Sequence, residues 1–247
     1  MKRSKQMGMN RTGIDTSPMD SKALNEGVQI LTTVTEGDYT ALSLNRIVFM
    51  KEADPLGTIP LPATAKGAIQ GGLQMIKGHN PSVLLDKLSE RLAFERSGVR
   101  LYDALISKHM AADDPTQLPP LERLQEIREE ELQHFALVSE VMKKLGADPT
   151  AQTPSADVIA IASSGLFKVA TEARIRFADT LSVILIAELA DNDSWRLLIE
   201  LADEAGLKEV CSSFREALYK EEQHLETVRE WINKLTLRQF NLAAKAA

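Results

Sequence analysis

Two short stretches, Glu131-Leu132-Gln133-His134 and Glu221-Glu222-Gln223-His224, decide how this chain folds. Each sets a carboxylate three residues before an imidazole, and on an α-helix residues three apart share a face and can converge on one point. With 21 Glu in 247 residues, a Glu precedes a given His by three positions about one time in twelve, yet two of only four His do so. The repetition is a pattern rather than an accident of an acid-rich chain.

Outward from each motif runs an apolar stripe with helical spacing. Leu124, Ile127, Glu131, His134, Val138 and Leu145 define one helix, which Gly146 and Pro149 stop. Phe214, Ala217, Glu221, His224, Val228, Trp231 and Leu235 define another over about 208–235. Before the first lies a helix with Leu88, Leu92, Glu95, Val99, Tyr102 and Ile106 on one face, and Pro115, Pro119 and Pro120 break the chain between the two. Before the second, a helical region over about 155–205, interrupted near Gly165 and ended by Gly206, carries Phe177, Leu181, Ile184, Glu188, Asp191, Trp195 and Ala202. Strand signals are nearly absent, so the class is all-α.

One Glu thus interrupts each of four apolar stripes: Glu95, Glu131, Glu188 and Glu221. Four ionised carboxylates facing one core would repel and would lose hydration worth several kcal/mol each. Two divalent cations balance them, with His134 and His224 completing the shells. Carboxylates with imidazole suit iron or manganese, and a cysteine-free site gives no reason to prefer zinc or copper(I). The order of the elements agrees. Glu95 and Glu188 each precede a Glu-x-x-His by one helix leg out, a turn and a leg back, as in a duplicated hairpin about a pseudo-twofold axis. The segment from Ala147 to about Val169 becomes a long crossover. One Glu per helix plus two Glu-x-x-His motifs is the layout of ferritin-like bundles.

On these residues the stretch 81–237 resembles the ferritin-like superfamily of dinuclear carboxylate proteins, rubrerythrin and bacterioferritin above all. The resemblance implies a four-helix bundle holding two iron (or manganese) ions. Glu95 and Glu188 would be terminal carboxylates, Glu131 and Glu221 bridging ones, and His134 and His224 the imidazole ligands. Tyr102, seven residues past Glu95 on the same face, matches a tyrosine near the metals and is the candidate catalytic side chain. Asp191 matches an extra carboxylate of rubrerythrins and is either a further ligand or a buried hydrogen-bonding group. The implied activity is oxidoreductase chemistry on peroxide or dioxygen, of peroxidase, catalase or ferroxidase type. The alternatives are an iron-binding or storage protein, or a stress-related structural protein without turnover. No four-Cys iron domain is present, so an external electron donor is expected. The N-terminal extension argues for a homodimer or small oligomer over a storage shell.

The rest of the chain narrows the field. A net charge of −6 and a pI near 5.4 argue against nucleic acid or an anionic membrane as partner. The single cysteine, Cys211, excludes a disulfide framework and Cys-rich metal sites, and fits a reducing cytoplasm as a half-buried thiol. The basic start Met1–Lys5 is followed by no apolar stretch, so no secretory leader is expected. Two domains are expected: a tail and extension over 1–80, and the dimetal bundle over 81–247. In the first, residues 1–20 read as a loose tail, with short helices over 21–34 and 63–77 and a Pro/Gly loop between them at Pro55, Gly57, Pro60 and Pro62. His79 and His109 are expected as surface or capping groups, Trp195 and Trp231 as core, and Glu90, Glu129, Glu130, Glu172, Glu222 and Glu226 as solvated.

Overall fold

A computed structural model of the protein describes residues 18–30, 39–54 and 80–245, with the single positions 56, 59, 64, 67 and 78. The tail over 1–17, the helix expected over 63–77 apart from Thr64 and Gly67, the four loop positions Pro55, Gly57, Pro60 and Pro62, and His79 lie outside the described residues. The chain divides into two compact units after Asp54.

The first unit contains α1 (Pro18–Ile30) and α2 (Tyr39–Glu52). Helix α1 begins at a proline, whose missing N–H costs nothing in a first turn. Helix α2 was not foreseen. Its apolar residues, Leu44 and the run Ile47-Val48-Phe49-Met50 among them, are spread round the helix and form no single stripe, so periodicity carried no helical signal there. These five are exposed.

The second unit is all-helical among the described residues. Two hairpins build it: α3 (Pro81–Met110) with α4 (Leu121–Lys144), and α6 (Phe177–Glu204) with α7 (Lys208–Lys245). Helix α3 lies beside α6, and α4 beside α7. Asn80 caps α3, its side chain accepting from the Ser82 amide at 3.2 Å, with Pro81 in the first turn. Helix α4 stops where Gly146 adopts φ +78, with the Ala147 amide bonded back to the Met142 carbonyl at 2.9 Å. A side chain at 146 would also collide with Thr64 and Gly67, so this turn accepts only glycine on two counts. No described helix is long and apolar enough to cross a membrane.

Between the hairpins runs α5 (Pro154–Thr171), a crossover that packs on α3 and α6. Helix α3 holds it at both ends. Asp86 accepts from the Ser155 amide at 3.0 Å and its hydroxyl at 2.7 Å, and Lys108 donates to the carbonyls of Glu172 and Ile175 at 2.7 and 2.6 Å. The break in the 155–205 region therefore falls at Glu172–Arg176, and α5 runs through Gly165 without interruption. With α5 against its flank, α3 buries more than one stripe. Gly98, Leu101 and Leu105 are buried, while the expected Val99 and Ile106 lie at the border.

Apolar side chains gather in two clusters. Leu101, Leu105, Ile127, Leu181 and Val228 belong to one, and Leu88, Val138, Trp195, Leu198 and Phe214 to the other. Trp195 and Trp231 are core residues, as expected. His109 is not a surface group: it is buried, its Nε2 sits 2.9 Å from the Pro119 carbonyl, and its ring meets Phe177 edge-on. Cys211 is fully buried.

Candidate metal centre

All six side chains singled out by the two motifs and their stripes come together inside the second unit, and each is at most 6% exposed. Helix α3 supplies Glu95, α4 supplies Glu131 and His134, α6 supplies Glu188, and α7 supplies Glu221 and His224. Three overlapping groups have ligand atoms within 4.8 Å of one another: Glu131, Glu188, Glu221 and His224; Glu95, His134 and Glu221; and Glu95, Glu131, Asp191 and Glu221. Glu221 belongs to all three. Its Oε1 lies 2.5 Å from His134 Nδ1 and its Oε2 3.2 Å from His224 Nδ1, so it stands between the two imidazoles. Glu131 shares groups with both Glu95 and Glu188, and its Oε1 is 3.6 Å from His224 Nδ1.

Gly98 makes room for this. A Cβ there would fall on Glu131 Oε2, so the bare backbone at that turn leaves the Glu131 carboxylate its place in the centre. Tyr102, one turn further on, donates its hydroxyl to Glu188 Oε1. Asn192 donates to the carbonyls of Glu188 and Glu221, each at 3.0 Å, and ties α6 to α7 beside the ligands.

Two charged residues outside the motif set complete the centre. Arg91 is buried one turn before Glu95; its Nε lies 3.0 Å from Glu95 Oε1, and its Nη1 pairs with the Asp191 carboxylate. Asp191, left open between two roles, is thus the counter-ion of Arg91 and also lies within ligand distance of the cluster. Glu130, expected in solvent, is buried. Its Oε2 is 2.8 Å from His224 Nε2, its Oε1 is 2.8 Å from Lys220 Nζ, and Arg123 Nη1 approaches at 3.4 Å. Glu129, Glu222 and Glu226 are exposed, and Glu90 and Glu172 half-buried.

The protonation of these groups reports their crowding. Burial raises Glu95 and Glu188 well above the usual carboxylate range, with Arg91 opposing it at Glu95 and neighbouring Glu221 reinforcing it at Glu188. Burial and then Glu221 raise Glu131. Burial also carries Asp191 well up, against the pull of Arg91. Glu221 alone among the four Glu goes down, because hydrogen bonds from His134 and His224 outweigh its burial. The hydrogen bond from His224 holds Glu130 down at about 2, and that carboxylate in turn helps to lift His224 well above its ordinary value against burial. An ionised carboxylate only accepts, so the proton between this pair belongs to His224 Nε2, and Nδ1 faces the cluster.

This donor set fits a pair of divalent ions. Glu131 Oε2 and Glu188 Oε2 are buried without a hydrogen-bond partner, an arrangement that a protein interior tolerates poorly unless a cation or a proton meets them. Arg91 and Asp191 neutralise each other, which leaves four Glu carboxylates to be matched by two divalent charges. Carboxylate oxygens and imidazole nitrogens are the ligands that iron and manganese take.

Comparison with known proteins agrees with the architecture. The family described as the ferritin-like domain matches residues 86–238. No curated protein and no solved structure matches. The matched stretch begins in α3, ends in α7 and includes every residue of the centre, and the chain belongs to the ferritin-like domain family.

Proposed function

We propose that the protein is a dinuclear carboxylate oxidoreductase of rubrerythrin-like type, binding two iron or manganese ions and acting on peroxide or dioxygen. Glu95 and His134 would hold one ion and Glu188 and His224 the other, with Glu131 and Glu221 shared between the two. Two such ions, when bound, would each give one electron, so that hydrogen peroxide with two electrons and two protons becomes two waters, an external electron donor restoring the reduced state.

The observation that carries this reading is a small pocket beside the cluster, lined by Gly98, Tyr102, Ala187, Glu131 and Glu188 and sized for about one water molecule. A space of that size suits a small oxygen species. The Tyr102 hydroxyl borders it and keeps its proton, since burial, and then the charge of Glu188, push the phenol well above its ordinary value. It is therefore a hydrogen-bond donor at neutral pH. Its bond to Glu188 Oε1 also leaves Oε2 as the free ligand atom. The apolar clusters around the centre keep bulk water from it. The second copy of the chain that a homodimer requires is part of this proposal, motivated by the exposed apolar side chains of α1 and α2.

Stopped-flow oxidation of iron(II)-loaded protein tests the reading. Peroxide should react faster than dioxygen, Glu131→Ala should abolish turnover, and Tyr102→Phe should slow it less. Equal rates for wild type and Glu131→Ala would remove the chemistry from this centre. Two ions bound without turnover would leave an iron-binding protein.

A further inference from the structure

The two hairpins repeat the liganding pattern but not its surroundings. The position four before the first Glu of each hairpin is Arg91 in α3 and Ile184 in α6, and the position just before the second Glu is Glu130 in α4 and Lys220 in α7. The centre is therefore symmetric in its six ligands and asymmetric in charge.

On the Glu95/His134 side, the Arg91 guanidinium touches the ligand itself, with Nε 3.0 Å from Glu95 Oε1. An arginine keeps its charge in any protein interior. A divalent ion arriving there must share Glu95 with a fixed cation. Asp191 pairs closely with that cation through Nη1, but Glu95 faces Nε, so Glu95 Oε1 keeps a charged donor beside it that Glu188 lacks.

On the Glu188/His224 side the ligands carry a neutral donor and an anion. Tyr102 gives Glu188 Oε1 an uncharged hydrogen bond. His224 Nε2 is 2.8 Å from Glu130 Oε2, leaving Nδ1 toward Glu131 and Glu221. A carboxylate on the far nitrogen of a liganding imidazole fixes its tautomer and makes the near nitrogen a stronger donor. Lys220 and Arg123 also pair with Glu130, but Lys220 is 46% and Arg123 25% exposed, so water and salt screen them more than they screen the buried Arg91.

We infer that the centre fills in a set order: the Glu188/His224 half takes the first divalent cation, and the Glu95/His134 half takes the second and holds it more loosely. Glu130 and Arg91 are the positioning residues that create the difference. The inference rests on the metal-binding part of the proposed function and is independent of turnover.

Stepwise binding alone does not carry the point, because the first ion's charge weakens the second in any symmetric centre. The identity of the first half does. Metal-free protein is titrated with manganese(II), with the free ion counted by its electron paramagnetic resonance signal and folding checked by circular dichroism. His224→Ala should abolish the tight step, whereas His134→Ala should leave it and remove the loose one. Glu130→Gln, which keeps a hydrogen-bond acceptor without the charge, should weaken the tight step by about 10- to 100-fold. Arg91→Gln should tighten the loose step; the two His variants and Glu130→Gln decide the matter if that variant fails to fold. Loss of the tight step in His134→Ala, or two steps affected alike by both His variants, overturns the order while leaving the metal reading intact. No bound manganese in wild type overturns both.

Discussion

Replacing Arg91 by leucine should cost the metal-free protein about 3–5 kcal/mol of folding stability, the usual result of removing one partner of a buried ion pair. The guanidinium is 2% exposed, lies 3.0 Å from Glu95 Oε1, pairs with the Asp191 carboxylate and reaches the Asp191 carbonyl at 3.3 Å. Its plane also rests 4.6 Å from the Phe94 ring and 5.8 Å from that of Trp195. Leucine keeps much of the apolar contact, so the loss is electrostatic: two buried carboxyls remain with their cation gone. Both can take up protons, since burial already raises them against the pull of Arg91, and this relief favours the lower end of the range. A domain of this size has about 5–15 kcal/mol in all, and at about 2–4 °C per kcal/mol the midpoint should fall by roughly 6–20 °C. Urea unfolding in the presence of chelator, followed by circular dichroism, measures it. The double variant Arg91→Leu/Asp191→Leu should recover at least half of the loss, because an apolar pair can replace a buried ionic one at little cost. A single variant within about 1 kcal/mol of wild type would refute the view that Arg91 is the internal counter-ion of this cluster.

Three further outcomes are expected. Gly98→Ala should leave stability nearly unchanged, since a helix gains about 0.8–1.0 kcal/mol from the exchange and the atom struck is the mobile end of Glu131; with that carboxylate displaced, metal analysis should find fewer than two ions per chain. Asp86→Ala should cost about 1 kcal/mol by uncapping α5, read from denaturant midpoints, and no loss would mean the crossover is held by packing alone. The metal-free protein should be more stable near about pH 5.5 than near about pH 8. Glu95, Glu131, Glu188 and Asp191, raised by burial, hold protons in the folded state that the unfolded chain has released above about pH 4, so stability falls as pH rises. His224, raised despite burial by its carboxylate neighbours, adds stability that is full below about pH 6.5 and is lost as pH climbs through its folded value. Glu130 and Glu221, held low, act the other way only below about pH 4.5. Loading with manganese(II) should flatten the profile, and a metal-free protein that gains stability toward pH 8 would contradict these shifts.

Much of this protein was legible one residue at a time. The four bundle helices and their pairing into hairpins follow from spacings of three and four, because a helix that buries one face must repeat its apolar residues at that period. The six ligands stood out for the same reason: a Glu or His on an apolar stripe is a conflict visible without coordinates. Helix α2 escaped because its apolar residues are spread round the helix, and the crossover was legible to about Val169, close to the end of α5 at Thr171, whereas the break expected near Gly165 falls instead at Glu172–Arg176, where Lys108 from another helix holds the chain. Arg91 lies on the α3 stripe four residues before Glu95 and could have been found by the rule that found the Glu residues. Glu130 could not. It is adjacent in sequence to Glu131 and so points about 100° away around the helix. Its burial comes from α7, whose His224 and Lys220 close over it. Local periodicity fixes which face of a helix turns inward, whereas the neighbour on its flank decides which residues beside that face become part of the core, and that contact spans 94 residues of chain between Glu130 and His224.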